Sequence, residues 1–81
     1  MLERIEEKVK TLVSFRQKAV FPHYLVWRGR KYKIEKLNLV YQQKVGRTKF
    51  YYFMVSDNCN NFKLSFNTDT LDWILEEVYT D

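Results

Sequence analysis

The sequence predicts an α+β fold, an N-terminal helix followed by a strongly curved antiparallel meander of five strands. Three observations predict it. The first fifteen residues carry an apolar stripe at helical spacing, residues 24–34 read as a hairpin folded about one glycine, and residues 36–79 alternate apolar and polar positions between clusters of turn residues. Residues 1–81 form a single domain on this reading, with 1–20 as helix and connection and 21–81 as the meander.

Leu2, Ile5, Val9, Leu12 and Val13 share one side of a helical wheel, and Glu3, Glu7, Lys10 and Thr11 share the other. Arg16 falls inside the apolar stripe, so the predicted helix ends near Phe15, and Phe21-Pro22 leads into the first strand. The stripe needs a cover. It packs on the sheet, or it pairs with a second copy in a homodimer.

The hairpin is Tyr24-Leu25-Val26-Trp27-Arg28-Gly29-Arg30-Lys31-Tyr32-Lys33-Ile34. A loop at Gly29-Arg30 puts glycine at the positive-φ position of a type II′ turn, and opposes Arg28 to Lys31, Trp27 to Tyr32 and Leu25 to Ile34. Leu25, Trp27, Tyr32 and Ile34 then face inward. Arg28, Lys31 and Lys33 face outward beside Val26, with Arg30 at the tip.

The apolar phase shifts between Ile34 and Leu37, which implies a β-bulge near Glu35-Lys36 of the kind that bends small sheets toward an SH3-like half-barrel. A turn at Val45-Gly46 opposes Leu37 to Met54, Leu39 to Tyr52 and Tyr41 to Phe50. The run from Lys49 to Ser56 is apolar on both faces and reads as a central strand covered on both sides, with Lys49 and Asp57 as gatekeepers. Asp57-Asn58-Cys59-Asn60-Asn61 is turn chemistry, and Phe62, Leu64 and Phe66 alternate as the next strand. The last segment fits two patterns. As a helix after an Asp69 cap it aligns Leu71, Ile74, Leu75 and Val78; as a strand it turns Trp73 and Leu75 inward, with Trp73 opposite Phe66.

A domain of 81 residues buries only about 60% of the surface its unfolded chain exposes, and its 14 aromatic side chains are the means of making so small a core sufficient. One cysteine, Cys59, and one histidine, His23, supply neither a disulfide nor the ligands of a structural zinc site. No metal or cofactor is expected. The N-terminus lacks a secretory pattern, and the longest apolar run, Phe50 to Val55, is far shorter than the ~20 residues of a membrane-spanning helix, so a cytoplasmic location without membrane contact is expected.

The net charge of +4 is unevenly spread. From Arg16 to Lys49 there are ten cations, including Lys18, against one anion, Glu35; from Asn67 to Asp81 there are five anions and no cations. A basic middle suits a polyanion such as nucleic acid; the same residues also serve solubility and protect sheet edges.

Leu25-x-Trp27-Arg28-Gly29-Arg30-x-Tyr32-x-Ile34, Phe62-x-Leu64-x-Phe66-Asn67 and Trp73-x-Leu75-x-x-Val78 together resemble a family of short bacterial domains of unknown function, some appended to relatives of lesion-bypass DNA polymerases. The resemblance covers residues 23–81, with Asn67 where the family usually has Asp and without its middle Trp pair. It implies a strand for Trp73 to Tyr79 and brings no catalytic residues.

No glycine-rich phosphate loop exists, because Gly29 and Gly46 stand alone. His23 has no sequence-near nucleophile pattern, Cys59 sits in a turn, and Glu76-Glu77 are adjacent and point apart on a strand. An enzyme is not expected. What remains is aromatics among cations: a non-enzymatic accessory module binding nucleic acid through Arg28, Arg30, Lys31 and Lys33, with Tyr24, Tyr51 or Tyr52 as stacking candidates on any exposed face. The alternative is a protein-interaction or homodimerisation module using the helix stripe or a sheet face.

Overall fold

The computed structural model describes residues 1–16 and 19–80; Lys18 and Asp81, counted above in the charge segments, lie outside them. Seven antiparallel strands form one sheet, and no helix occurs among the described residues. The strands are β1 (Leu2–Arg16), β2 (Ala19–Trp27), β3 (Arg30–Lys33), β4 (Lys36–Val45), β5 (Thr48–Ser56), β6 (Asn60–Asn67) and β7 (Trp73–Thr80). Their spatial order is β3-β2-β1-β7-β6-β5-β4. The expected α+β class is therefore wrong, and with it both the five-stranded half-barrel and a homodimer built on an N-terminal helix.

β1 replaces the helix for a reason visible in its side chains. Ile5, Val9 and Val13 are four apart, a spacing that satisfies both the 3.6-residue helical period and the two-residue strand period. From Ile5 to Val13 every second position of β1 is half-buried, namely Ile5, Glu7, Val9, Thr11 and Val13, a strand alternation masked in the sequence by polar Glu7 and Thr11. Pairing with two neighbours then decides the matter. β1 meets β7 from Leu2 to Val9 and β2 from Lys10 to Arg16, with a bulge at Ile5-Glu6 where Glu6 has a φ of 56°.

The hairpin register also differs from expectation. Trp27 opposes Arg30, Val26 opposes Lys31, Leu25 opposes Tyr32 and Tyr24 opposes Lys33, so the loop is Arg28-Gly29. Moving a two-residue loop by one position shifts the partners by two, which leaves every side chain on its original face. Leu25, Trp27, Tyr32 and Ile34 still face inward. In the next hairpin the turn is Gly46-Arg47, which pairs Tyr41 with Tyr52 and Leu39 with Met54, and the bulge is at Asn38 rather than at Glu35-Lys36. The single strand expected after Gly29 is divided into β3 and β4 by Ile34-Glu35.

Those two residues curl the sheet. β3 and β4 are its two edges, yet they are consecutive in the chain, and Ile34 N–H donates to the His23 carbonyl (2.9 Å) while Glu35 N–H donates to the Ser56 carbonyl (2.8 Å). Inside the curl lie Leu25, Ile34, Phe53, Val55, Phe62, Leu64, Leu75 and Val78, with Ile5, Val9, Trp27, Tyr32 and Trp73 packed against them. β7 is a strand, and Trp73 opposes Phe66 as its strand reading predicts, with ring centroids 4.8 Å apart. β5 is buried only on its Phe53-Val55 side; Phe50, Tyr52 and Met54 are half-buried on the outer face, where no second layer covers them. Its expected double cover is absent.

Candidate nucleic-acid interface

Antiparallel partners point to the same side of a sheet, so the register assigns the outer face of β1, β2 and β3 residue by residue. One row across the three strands is Lys10, Val26 and Lys31; the next is Leu12, Tyr24 and Lys33. Beyond the bulge that leaves His23 unpaired, the same face continues as Ser14 beside Phe21 and Arg16 beside Ala19. Lys10, Lys31, Lys33, Arg16 and Phe21 are exposed. Successive residues on one face of a strand are about 7 Å apart, so Lys31 and Lys33 present two cations at that interval.

The rows from Lys10 to Arg16 include no carboxylate among their described residues; Glu6 lies farther along β1, 4.0 Å from Arg4. Lys8 continues the face toward β7 and is partly neutralised by Asp72, 3.7 Å away. The Lys31 ammonium lies 4.2 Å from the centre of the Tyr24 ring, which holds the lysine over the sheet and occupies that ring face. Open aromatic surface comes instead from Phe21, whose exposed ring lies 4.9 Å from that of half-buried His23 at a tilt of 48°.

The structure brings together two of the four cations singled out from sequence and separates the others. Lys31 and Lys33 share the outer face. Arg30 points to the opposite side with Trp27, its guanidinium 5.9 Å from the Tyr32 ring. Arg28 is committed elsewhere: its Nη2 donates to Glu7 Oε2 at 2.7 Å, Trp27 Nε1 donates to Glu7 Oε1 at 3.1 Å, and the guanidinium lies 4.7 Å from the Trp27 ring. The Arg28 hydrogen bond, followed by that of Trp27, holds the Glu7 carboxyl below the usual glutamate range, and Glu7 in turn raises Arg28.

Lys10 and Arg16 were missed because a helix reading scatters them. Read as a strand, Lys8, Lys10, Leu12, Ser14 and Arg16 recur every second residue, and that was the available signal. Of the other stacking candidates, Tyr51 faces inward, while Tyr52 is on the outer face of β5, stacked on Tyr41 with centroids 5.0 Å apart and with Lys63 at 5.3 Å. That second surface carries a carboxylate, Glu77, in register between Lys63 and Arg4.

Chemistry for catalysis is incomplete. Ser14 Oγ and His23 Nε2 lie 2.7 Å apart, a nucleophile-base distance that strand pairing creates and the sequence did not reveal. The pair stands on an open face without a carboxylate to orient the imidazole. Cys59 is exposed in a turn organised by Asp57, whose Oδ1 accepts from the amides of Cys59 (2.8 Å) and Asn60 (2.7 Å). Among the described residues no three His, Cys, Asp or Glu side chains converge as a metal site.

Comparison with protein-family models, curated proteins and solved structures returned no match to this chain. The functional reading therefore rests on geometry and charge.

Proposed function

We propose that the domain is a non-enzymatic module that binds single-stranded nucleic acid on the outer face of β1, β2 and β3. The observation that carries this reading is the coincidence on one sheet face of Lys10, Lys31, Lys33 and Arg16 with exposed Phe21 and half-buried His23, in rows that hold no carboxylate among their described residues. The cations meet phosphates, releasing counterions, and the rings stack on unpaired bases without demanding a sequence. A duplex offers no base faces to such a sheet. Lys31 and Lys33 keep the role expected of them; Arg28 and Arg30 do not share the surface.

Fluorescence anisotropy with a labelled mixed-sequence 12-mer, titrated at several salt concentrations, tests this. Four phosphate contacts on a single strand give a log-log salt slope of about −2.8, and Lys33→Ala or Lys10→Ala reduces its magnitude by about 0.7 each. Arg28→Ala leaves the slope unchanged. Absence of binding at low salt, or an Arg28→Ala loss equal to that of Lys33→Ala, overturns the assignment.

A further inference from the structure

The curled sheet is open, with β3 and β4 as its two unjoined edges among the described residues. β3 lies along β2 only from Tyr24 to Trp27, and beyond the Ile34-His23 hydrogen bond the edge of β2 from Ala19 to Pro22 has no strand beside it. The outer edge of β4 is bare along Lys36–Val45. Between the two edges opens an apolar groove of about 370 Å³, lined by Val20 and Phe21 of β2, Leu37 and Val40 of β4, and Tyr51 and Phe66 from the sheet behind.

The two edges are not equivalent. Pro22 has no N–H to offer and blunts the β2 side, as proline does on protected edges. The central β4 segment Leu37-Asn38-Leu39-Val40-Tyr41-Gln42-Gln43 contains neither a charge nor a proline, and its one protective device is the bulge at Asn38, which leaves Leu39 to Gln43 as a regular, uncharged edge. Cations stand at its far end. Lys44 directly opposes Lys49 across the hairpin, with Arg47 in the turn between them, an arrangement of like charges that is destabilising until an anion arrives.

We propose that β4 accepts an extended peptide segment of another protein as an added strand, with alternate apolar side chains over the groove and acidic residues where it passes Lys44, Arg47 and Lys49. Main-chain hydrogen bonds supply affinity, and the apolar groove and basic tip supply selectivity. A second copy of the chain is the poorer occupant. Antiparallel pairing of two β4 edges centred on Val40 sets Lys36 of each copy against Lys44 of the other, adding like-charge pairs to those already there.

The test uses the full chain and a fluorescein-labelled synthetic peptide of seven alternating Val and Thr residues followed by three Glu, beside the same peptide with proline at its centre. Hydrogen exchange follows the β4 amides, anisotropy follows binding, and sedimentation of the protein alone follows self-association. The expected result is slowed exchange along β4 with the first peptide and none with the proline-interrupted one. Val40→Asp and Lys44→Glu each weaken binding about tenfold, a difference of roughly 1.4 kcal/mol. Val40 is 42% exposed, so the first variant keeps its fold, checked by an unchanged melting temperature, and oligonucleotide binding through Lys10, Lys31 and Lys33, none of which lines the groove, is retained. Equal binding of both peptides, unaltered exchange in β4, or protection that rises with protein concentration in the absence of peptide overturns the proposal.

Discussion

Two adjacent residues, Arg28 and Gly29, both have positive φ, 52° and 77°, which makes the hairpin turn a type I′ rather than the II′ its glycine suggests. Arg28 tolerates the left-handed region because its side chain is anchored on Glu7 and Trp27. Gly29 has open space where a Cβ would stand, so a substitution there meets conformational strain rather than a clash. Gly29→Val is expected to cost about 1–3 kcal/mol, whereas Arg30→Ala stays within about 0.5 kcal/mol. Thermal denaturation of the two variants side by side checks this; equal melting temperatures would show that position 29 is not held at positive φ.

At the scale of elements, Glu7 clamps β1 to the β2-β3 hairpin by accepting from Trp27 and Arg28 at once. Its folded pKa is depressed, chiefly by the Arg28 hydrogen bond, so its contribution is present above the unfolded carboxylate range and is lost as pH falls through the lower folded value. Glu7→Gln is therefore expected to lower the melting temperature at neutral pH and to flatten its decline on acidification. Melting curves between about pH 6 and 2 measure that difference; parallel acid profiles for the two proteins would mean the clamp does not form. The clamp also explains why a basic hairpin in the sequence is a less basic hairpin in space.

For the whole molecule, the decisive fact is that β1 is interior to the sheet, between β2 and β7, and bends to serve both. A chain beginning at Phe21 loses the strand that joins the β2-β3 ribbon to the other four strands. That truncation is expected to abolish the cooperative thermal transition and the slow-exchanging amides of β7. A truncated chain that melts cooperatively would show that β1 is peripheral. The same topology redistributes charge, since the acidic C-terminal strand interleaves with Arg4 and Lys63 by register, while Lys10, Lys31 and Lys33 gather on one face of β1 and β3.

Local pattern alone indicated strands from the Tyr24 hairpin to Phe66 and their inward faces, because side-chain alternation and turn chemistry act over a few residues; it left the last segment open between helix and strand, and the pairing of Phe66 with Trp73 belonged to the strand alternative. The shared outward face of Lys31 and Lys33 was legible for the same reason. Tertiary structure decided what β1 is. A four-residue apolar spacing satisfies helix and strand alike, and only hydrogen-bonding partners more than sixty residues away, such as Tyr79 opposite Leu2, separate them. It also decided which cations share a face. Arg28 was lost to a carboxylate 21 residues distant and Lys10 was gained from a strand the sequence disguised, because a surface is assembled across strands and its composition cannot be read along one.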